Sequence, residues 1–156
     1  MGTKYKGNKR EKLVLDAFIK LMRASHAIPS RQHKQLLEIG LTNSQFGVLE
    51  AIYHLGPLNQ RTIGKKILTS EGNITFIIDN LLKKGLVTRK QDPEDRRCSI
   101  IELTDKGEKF IKEYFPVHLA NIMAQFEDFS DDELKEFARL TKKAGKTETE
   151  SQNSGK

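Results

Sequence analysis

From Glu11 to about Ala27 the apolar residues Val14, Leu15, Phe18, Leu21 and Met22 recur at three- and four-residue intervals, the single stripe of an amphipathic helix. Pro29 and Ser30 are expected to end it, with a short second helix from Arg31 to Ile39 stopping at Gly40. Thr42-Asn43-Ser44-Gln45 has the form of a capping box, in which hydroxyl and amide satisfy each other's free backbone N–H groups. The helix it starts shows Phe46, Leu49, Ile52 and Tyr53 on one face and ends at Gly56-Pro57. In the short segment Arg61 to Leu68, Ile63 and Ile67 are again four residues apart. The clearest pattern lies between Ser70 and Lys84: Ile74, Ile77, Ile78, Leu81 and Leu82 fall at i, i+3, i+4, i+7 and i+8, and Gly85 sits where a helix C-cap belongs.

Beyond Gly85 the period changes. Leu86 to Lys90 and Cys98 to Leu103 are short β-prone runs flanking the turn-forming Gln91-Asp92-Pro93-Glu94-Asp95-Arg96-Arg97, so the pair predicts a hairpin with its tip around Asp92 to Cys98. Thr104-Asp105 opens a long helix carrying Phe110, Ile111, Tyr114, Phe115, Ile122, Met123 and Phe126, which Pro116 is expected to kink. Ser130-Asp131-Asp132-Glu133 is another capping box, starting a last helix with Leu134, Phe137, Ala138 and Leu140. Residues 1–10 are basic and polar and residues 142–156 hold almost nothing to bury, so both ends are expected to be flexible, leaving one domain over 11–141.

A length of 156 residues suits one core rather than two. The 27 Lys+Arg against 21 Asp+Glu give a net charge of +6, which favours an anionic partner without choosing between nucleic acid and an acidic membrane surface. No apolar stretch is long enough to cross a bilayer, and none follows the basic N-terminus as a signal peptide requires. The apolar stripes read as core rather than as a membrane-lying face, so a membrane partner is not expected. Cys98 is the single cysteine; it excludes an intramolecular disulfide and any CxxC site, and cytoplasmic location follows as the simplest expectation. No Gly-rich phosphate loop, nucleophile elbow or metal-spaced His/Cys set is present, and no cofactor or enzymatic activity is expected. His26, His33, His54 and His118 lack the i, i+4 spacing of a helical metal pair.

A short helix, a tight turn, a helix with a defined core face and a charged hairpin follow one another in the order of a winged helix-turn-helix. If the isoleucine-leucine stripe packs inward, Gly72, Asn73, Phe76, Asp79, Asn80 and Lys83 face outward, with Thr75 at the border. Asparagine pairs with an adenine edge, Thr75 and Phe76 suit thymine methyls, and Ser70 and Gly72 lie at the positive end of the helix, where backbone approaches phosphate. A merely solvated polar face would give the same wheel; the hairpin that follows separates the two readings. At its tip Arg96 and Arg97 can reach phosphate or a narrow minor groove, and Asp95 can hold an arginine in place. The neighbouring acids, Asp92, Glu94 and Asp95, make sense if they orient particular arginines.

The segments LTNSQFGVLEAIYHLG, SEGNITFIIDNLLKKGLV, DPEDRR and ELTDKG resemble the MarR (multiple-antibiotic-resistance regulator) family of bacterial transcription factors, over nearly the whole folded body. The fold the resemblance implies is mainly α with a small β-hairpin: a winged helix-turn-helix with its DNA-binding core at about 41–103 and dimerisation helices at about 11–27 and 104–141. The family's wing motif Asp-x-Arg falls on Asp95 and Arg97, and its base-reading positions on Asn73, Thr75 and Phe76. The resemblance also implies a homodimer on a pseudo-palindromic site in double-stranded DNA, acting as a repressor released by a small phenolic or other aromatic ligand; the apolar excess of the terminal helices argues for the same pairing. Two recognition helices roughly 34 Å apart would meet successive major grooves. Phe18, Tyr53 and His54 are candidates for the ligand pocket. Alternatives are a protein- or RNA-binding winged helix, or a redox- or metal-responsive regulator.

Overall fold

Capping chemistry sets where the helices begin. In the structure, a computed structural model that describes residues 4–145, α1 spans Lys9–Glu38, α2 Asn43–Leu55, α3 Gln60–Lys66, α4 Glu71–Lys83, α5 Asp105–Gln125 and α6 Asp131–Ala144, with strands β1 (Leu58–Asn59), β2 (Val87–Gln91) and β3 (Ser99–Leu103). The boxes expected at Thr42/Gln45 and Ser130/Glu133 are both formed. A further one, Asn8 with Glu11, starts α1 inside the segment expected to be flexible. At the other end α6 runs to Ala144, past the expected tail boundary at 142; Lys142 and Lys143 lie in its last turn, where cations suit the helix dipole. The remaining tail expectations, over 1–3 and 146–156, lie outside the described residues.

The expected break at Pro29 does not occur, and α1 is one helix of 30 residues. Proline removes one N–H donor, but a side-chain bond within the helix and tertiary anchoring around and beyond it hold the helical course. Asn43 Nδ2 donates to the Pro29 carbonyl at 2.9 Å, Ser30 Oγ donates to the His26 carbonyl at 2.7 Å, and Leu36 is buried in the core. α5 likewise continues through Pro116. The stop at Gly85 is as expected: its φ of +68° is open to glycine, and Leu86 N–H closes back onto the Leu81 carbonyl at 3.1 Å.

Two units divide the chain, residues 1–121 and 122–156. In the first, the stripe of α4 (Ile74, Ile77, Ile78, Leu81) packs with Phe46, Val48, Leu49 and Ile52 of α2, Ile63 of α3, Ile101 of β3 and Ile111 of α5. The antiparallel sheet has the order β1-β3-β2, with Leu58 opposite Ile101 and Arg89 opposite Ile101 from the other side. The two-residue β1, which the sequence pattern does not reveal, seats the start of α3 against the hairpin. Along α1, Leu13, Val14, Phe18, Leu21 and Met22 remain exposed. In the second unit, Phe126, Phe129 and Phe137 form a ring cluster, while none of α6 is buried.

Candidate nucleic-acid interface

The side of α4 opposite its isoleucine stripe carries the expected outward residues. Ser70 is the N-cap, its Oγ accepting from Asn73 N–H at 3.3 Å, which fixes the first turn of α4. Gly72, Asn73, Thr75, Phe76 and Lys83 are exposed, and Asp79 and Asn80 half-exposed. Phe76 is 67% exposed, an aromatic ring that the core does not explain. Asn73 Nδ2 donates to Thr69 Oγ1, just ahead of the helix, and Asn80 Nδ2 donates to the Phe76 carbonyl of its own helix at 2.9 Å, so both amides already have partners.

The wing lies between β2 and β3. Asp92 N–H donates to the Cys98 carbonyl at 3.0 Å, Cys98 N–H to the Asp95 carbonyl at 2.8 Å, and Gln91 Nε2 to the Arg96 carbonyl at 3.0 Å. Asp92 Oδ1 accepts from Glu94 N–H at 2.9 Å, so this acid is spent on the turn itself. Asp95 grips Arg97 three ways: Oδ1 accepts from the backbone N–H and from Nε, both at 3.0 Å, and Oδ2 accepts from the terminal guanidinium nitrogen at 3.2 Å. The Arg97 side chain is 90% exposed yet oriented. These bonds hold the Asp95 carboxyl below the usual carboxylate range and raise Arg97 further. Arg96 is exposed beside them.

A third set of contacts was not foreseen. Arg89, on β2, donates to Asp79 Oδ1 of α4 at 2.7 Å, and its guanidinium also reaches Gln60 Oε1 of α3 at 3.5 Å. Gln60 Nε2 donates to Thr75 Oγ1 at 2.7 Å. Between this set and the wing is a cleft of about 230 Å³ lined by Gln60, Arg61, Ile74, Thr75, Arg97, Cys98 and Ser99. No periodicity signals the set, because its members come from three elements and meet only where these pack together.

The expected ligand-pocket residues fall on two features. Tyr53 and His54 join Phe115 in an aromatic cluster, with His54 4.8 Å from Phe115 and 5.1 Å from Tyr53 between ring centroids. Phe18 instead lines an open trough on α1 with Ile19, Met22, Arg23, His26 and Ala27. Cys98 is half-buried, its thiol 3.6 Å from Asp95 Oδ2. Among the described residues, no group of three or more His, Cys, Asp or Glu is placed to hold a metal ion, and no helix is long and apolar enough to cross a membrane.

A helix-turn-helix whose second helix turns an asparagine- and phenylalanine-bearing face outward, beside a hairpin tipped with an oriented arginine, is the DNA-binding unit of a winged-helix regulator. The model of the MarR family matches residues 41–99. Over 131 residues the chain is 36% identical to the HTH-type transcriptional regulator MhqR of Bacillus subtilis, spanning 84% of this chain and 90% of that protein. The fold is shared with Sco3205, a MarR family transcriptional regulator from Streptomyces coelicolor solved in complex with DNA, at a TM-score of 0.79 and 18% identity over 90% of this chain and 89% of that one. It is shared too with Bordetella bronchiseptica BpsR, described for regulation of its DNA binding by 6-hydroxynicotinic acid, at a TM-score of 0.74 and 22% identity over 83% of this chain and 98% of that one. The chain belongs to the MarR family of winged helix-turn-helix transcriptional regulators, a family of regulators and not of enzymes.

Proposed function

We propose that this protein is a homodimeric repressor that binds a pseudo-palindromic operator and is released by a small aromatic ligand. The observation that carries the reading is the bidentate grip of Asp95 on an exposed Arg97 beside the outward face of α4. A guanidinium fixed this way loses little rotamer freedom on entering a minor groove. The α4 face supplies base readout from Asn73, Thr75 and Phe76, with Ser70, Gly72 and Asn80 at its margins and Arg96 on phosphate. Asn73 exchanges its bond to Thr69 for an adenine edge when DNA arrives. Pairing of two copies is supported by the apolar side chains left outward on α1 and on α6, including Phe18, Met22, Phe137 and Leu140. The Tyr53-His54-Phe115 cluster offers an aromatic ligand a stacking surface.

Selection of bound sequences from random duplex DNA tests the reading. A recovered site with two inverted half-sites one helical turn apart supports it, and recovery of no preferred sequence refutes it. On the recovered site, Arg97→Ala should weaken binding and reduce the slope of log affinity against log salt by about one per protomer, whereas Asn73→Ala and Phe76→Ala should mainly change the preferred bases.

A further inference from the structure

The Asp79-Arg89-Gln60-Thr75 set presents an electrostatic problem. Asp79 lies on the outward side of the recognition helix, at its border, where a carboxylate works against approach to phosphate. Its partner is the cation of Arg89, on the first wing strand, at 2.7 Å. Arg89 also faces Gln60 Oε1 at 3.5 Å, and an arginine has only donors, so the Gln60 oxygen must turn toward it. That orientation leaves Gln60 Nε2 to donate to Thr75 Oγ1, at 2.7 Å, on the face of α4 that reads bases. One guanidinium therefore ties together the wing strand, the start of α3 and two positions a helical turn apart on α4.

We propose that Arg89 is a positioning residue for DNA recognition: without touching DNA, it neutralises Asp79 and, through Asp79 and Gln60, sets the angle between recognition helix and wing at which Thr75 and Arg97 engage DNA together. This rests on the DNA-binding reading above. The side chains of Arg89 and Asp79 are 31% and 45% exposed, so the pair contributes little to the stability of the free protein. Its effect belongs to geometry, since misplacing one of two reading elements costs affinity for the right site more than for any site.

The signs of two substitutions separate this role from a plain charge effect. On electrostatics alone, Asp79→Asn removes a negative charge from the DNA-facing helix and should tighten binding; as part of a positioning bracket it should loosen it. Were Arg89 a phosphate contact, Arg89→Gln would reduce the salt slope by about one per protomer; as a positioning residue it leaves the slope unchanged.

The test compares full-length wild type, Asp79→Asn, Arg89→Gln and the exchanged pair Asp79→Arg with Arg89→Asp. Each is titrated onto the duplex selected by the wild type and onto a scrambled duplex, across a salt series. Both single variants should lose about tenfold on the selected duplex and under about threefold on the scrambled one, with the salt slope kept. The exchanged pair should recover most of the loss. Tighter or unchanged binding by Asp79→Asn, a reduced slope for Arg89→Gln, or equal losses on both duplexes would overturn the proposal. If a single variant melts below the assay temperature, the exchanged pair decides: failure to recover overturns it. Wild type that binds neither duplex would refute the DNA-binding reading instead, so the two failures are distinguishable.

Discussion

Gly107→Ala should destabilise the protein although helix propensity alone says the reverse. Gly107 lies buried in the first turn of α5, and a Cβ there would sit 1.9 Å from the Leu86 carbonyl oxygen and 2.9 Å from its carbon. Since unstrained carbon-oxygen contacts begin at about 3.3 Å, the two backbones would have to separate by more than about 1 Å. The same oxygen accepts from Thr104 N–H at 3.1 Å, while Thr104 Oγ1 donates to the Gly85 carbonyl at 2.7 Å and accepts from Gly107 N–H at 3.0 Å. Overpacking of this kind costs about 1–3 kcal/mol. Loosening two of these hydrogen bonds adds roughly 1 kcal/mol each. Helix propensity returns at most about 1 kcal/mol. The net loss is about 2–4 kcal/mol, a fall in Tm of roughly 6–12 °C for a chain of this size. Urea and thermal unfolding should be run at fixed protein concentration, because association shifts the apparent midpoint. Gly72→Ala, with nothing within 4 Å of its Cβ, is the control and should leave Tm unchanged or slightly higher. A Gly107→Ala protein as stable as wild type would show that α5 does not need this close approach, and the reasoning would fail.

Leu68 is non-glycine at a φ of +55° and 92% exposed, so Leu68→Gly should stabilise by about 0.5–1 kcal/mol and Leu68→Val destabilise, read from the same urea curves. Burial between Phe46 and Phe115 lowers the proton affinity of His118 against a small opposing pull from Glu50. The folded state then binds fewer protons than the unfolded one, so this contribution is complete above the usual histidine range and is lost as pH falls below it; unfolding free energies measured from about pH 8 to 5 should show a downward slope that His118→Phe flattens. Asp95→Asn should weaken operator binding with the salt slope intact, although it removes an acid from the interface; tighter binding would sink the clamp. Because Arg97 holds the Asp95 carboxyl below its usual range, the clamp persists at neutral pH and opens only in acid, so its contribution should not change between about pH 6 and 8.

How much was legible in the sequence depended on how local the cause was. The α4 stripe, the Gly85 stop and the boxes at Thr42 and Ser130 are each decided within one helical turn or one repeat, and each appears as expected. The Asp95-Arg97 pair is likewise two residues apart. Pro29 failed as a helix end because the deciding groups, Asn43 and the buried Leu36, act from beyond the local window. The same reason hid β1, whose two residues have strand geometry only because β3 lies beside them.

The Arg89 bracket was hidden for a further reason, and it bears on how the recognition unit works. Asp79 reads in a helical wheel as one more outward polar residue, and Arg89 as one more cation in a basic strand. Only the packing of β2 against α4 brings them within 2.7 Å. At the other end of α4, Thr104 and Lys106 bond to the carbonyls of Gly85 and Lys84 at 2.7 and 2.8 Å, in the turn where Gly107 admits the Leu86 backbone. The recognition helix is therefore fixed at its middle to the wing and at its C-terminal end to α5, while its N-terminal turn, with Ser70, Gly72 and Asn73, is left outward. The helix is thus tied to the start of α5 through Thr104 and Lys106 and to β2 through Arg89. Substitutions at these two places should alter operator affinity by separate routes, with additive losses, whereas Arg89→Gln and Asp79→Asn, which break the same bond, should not add.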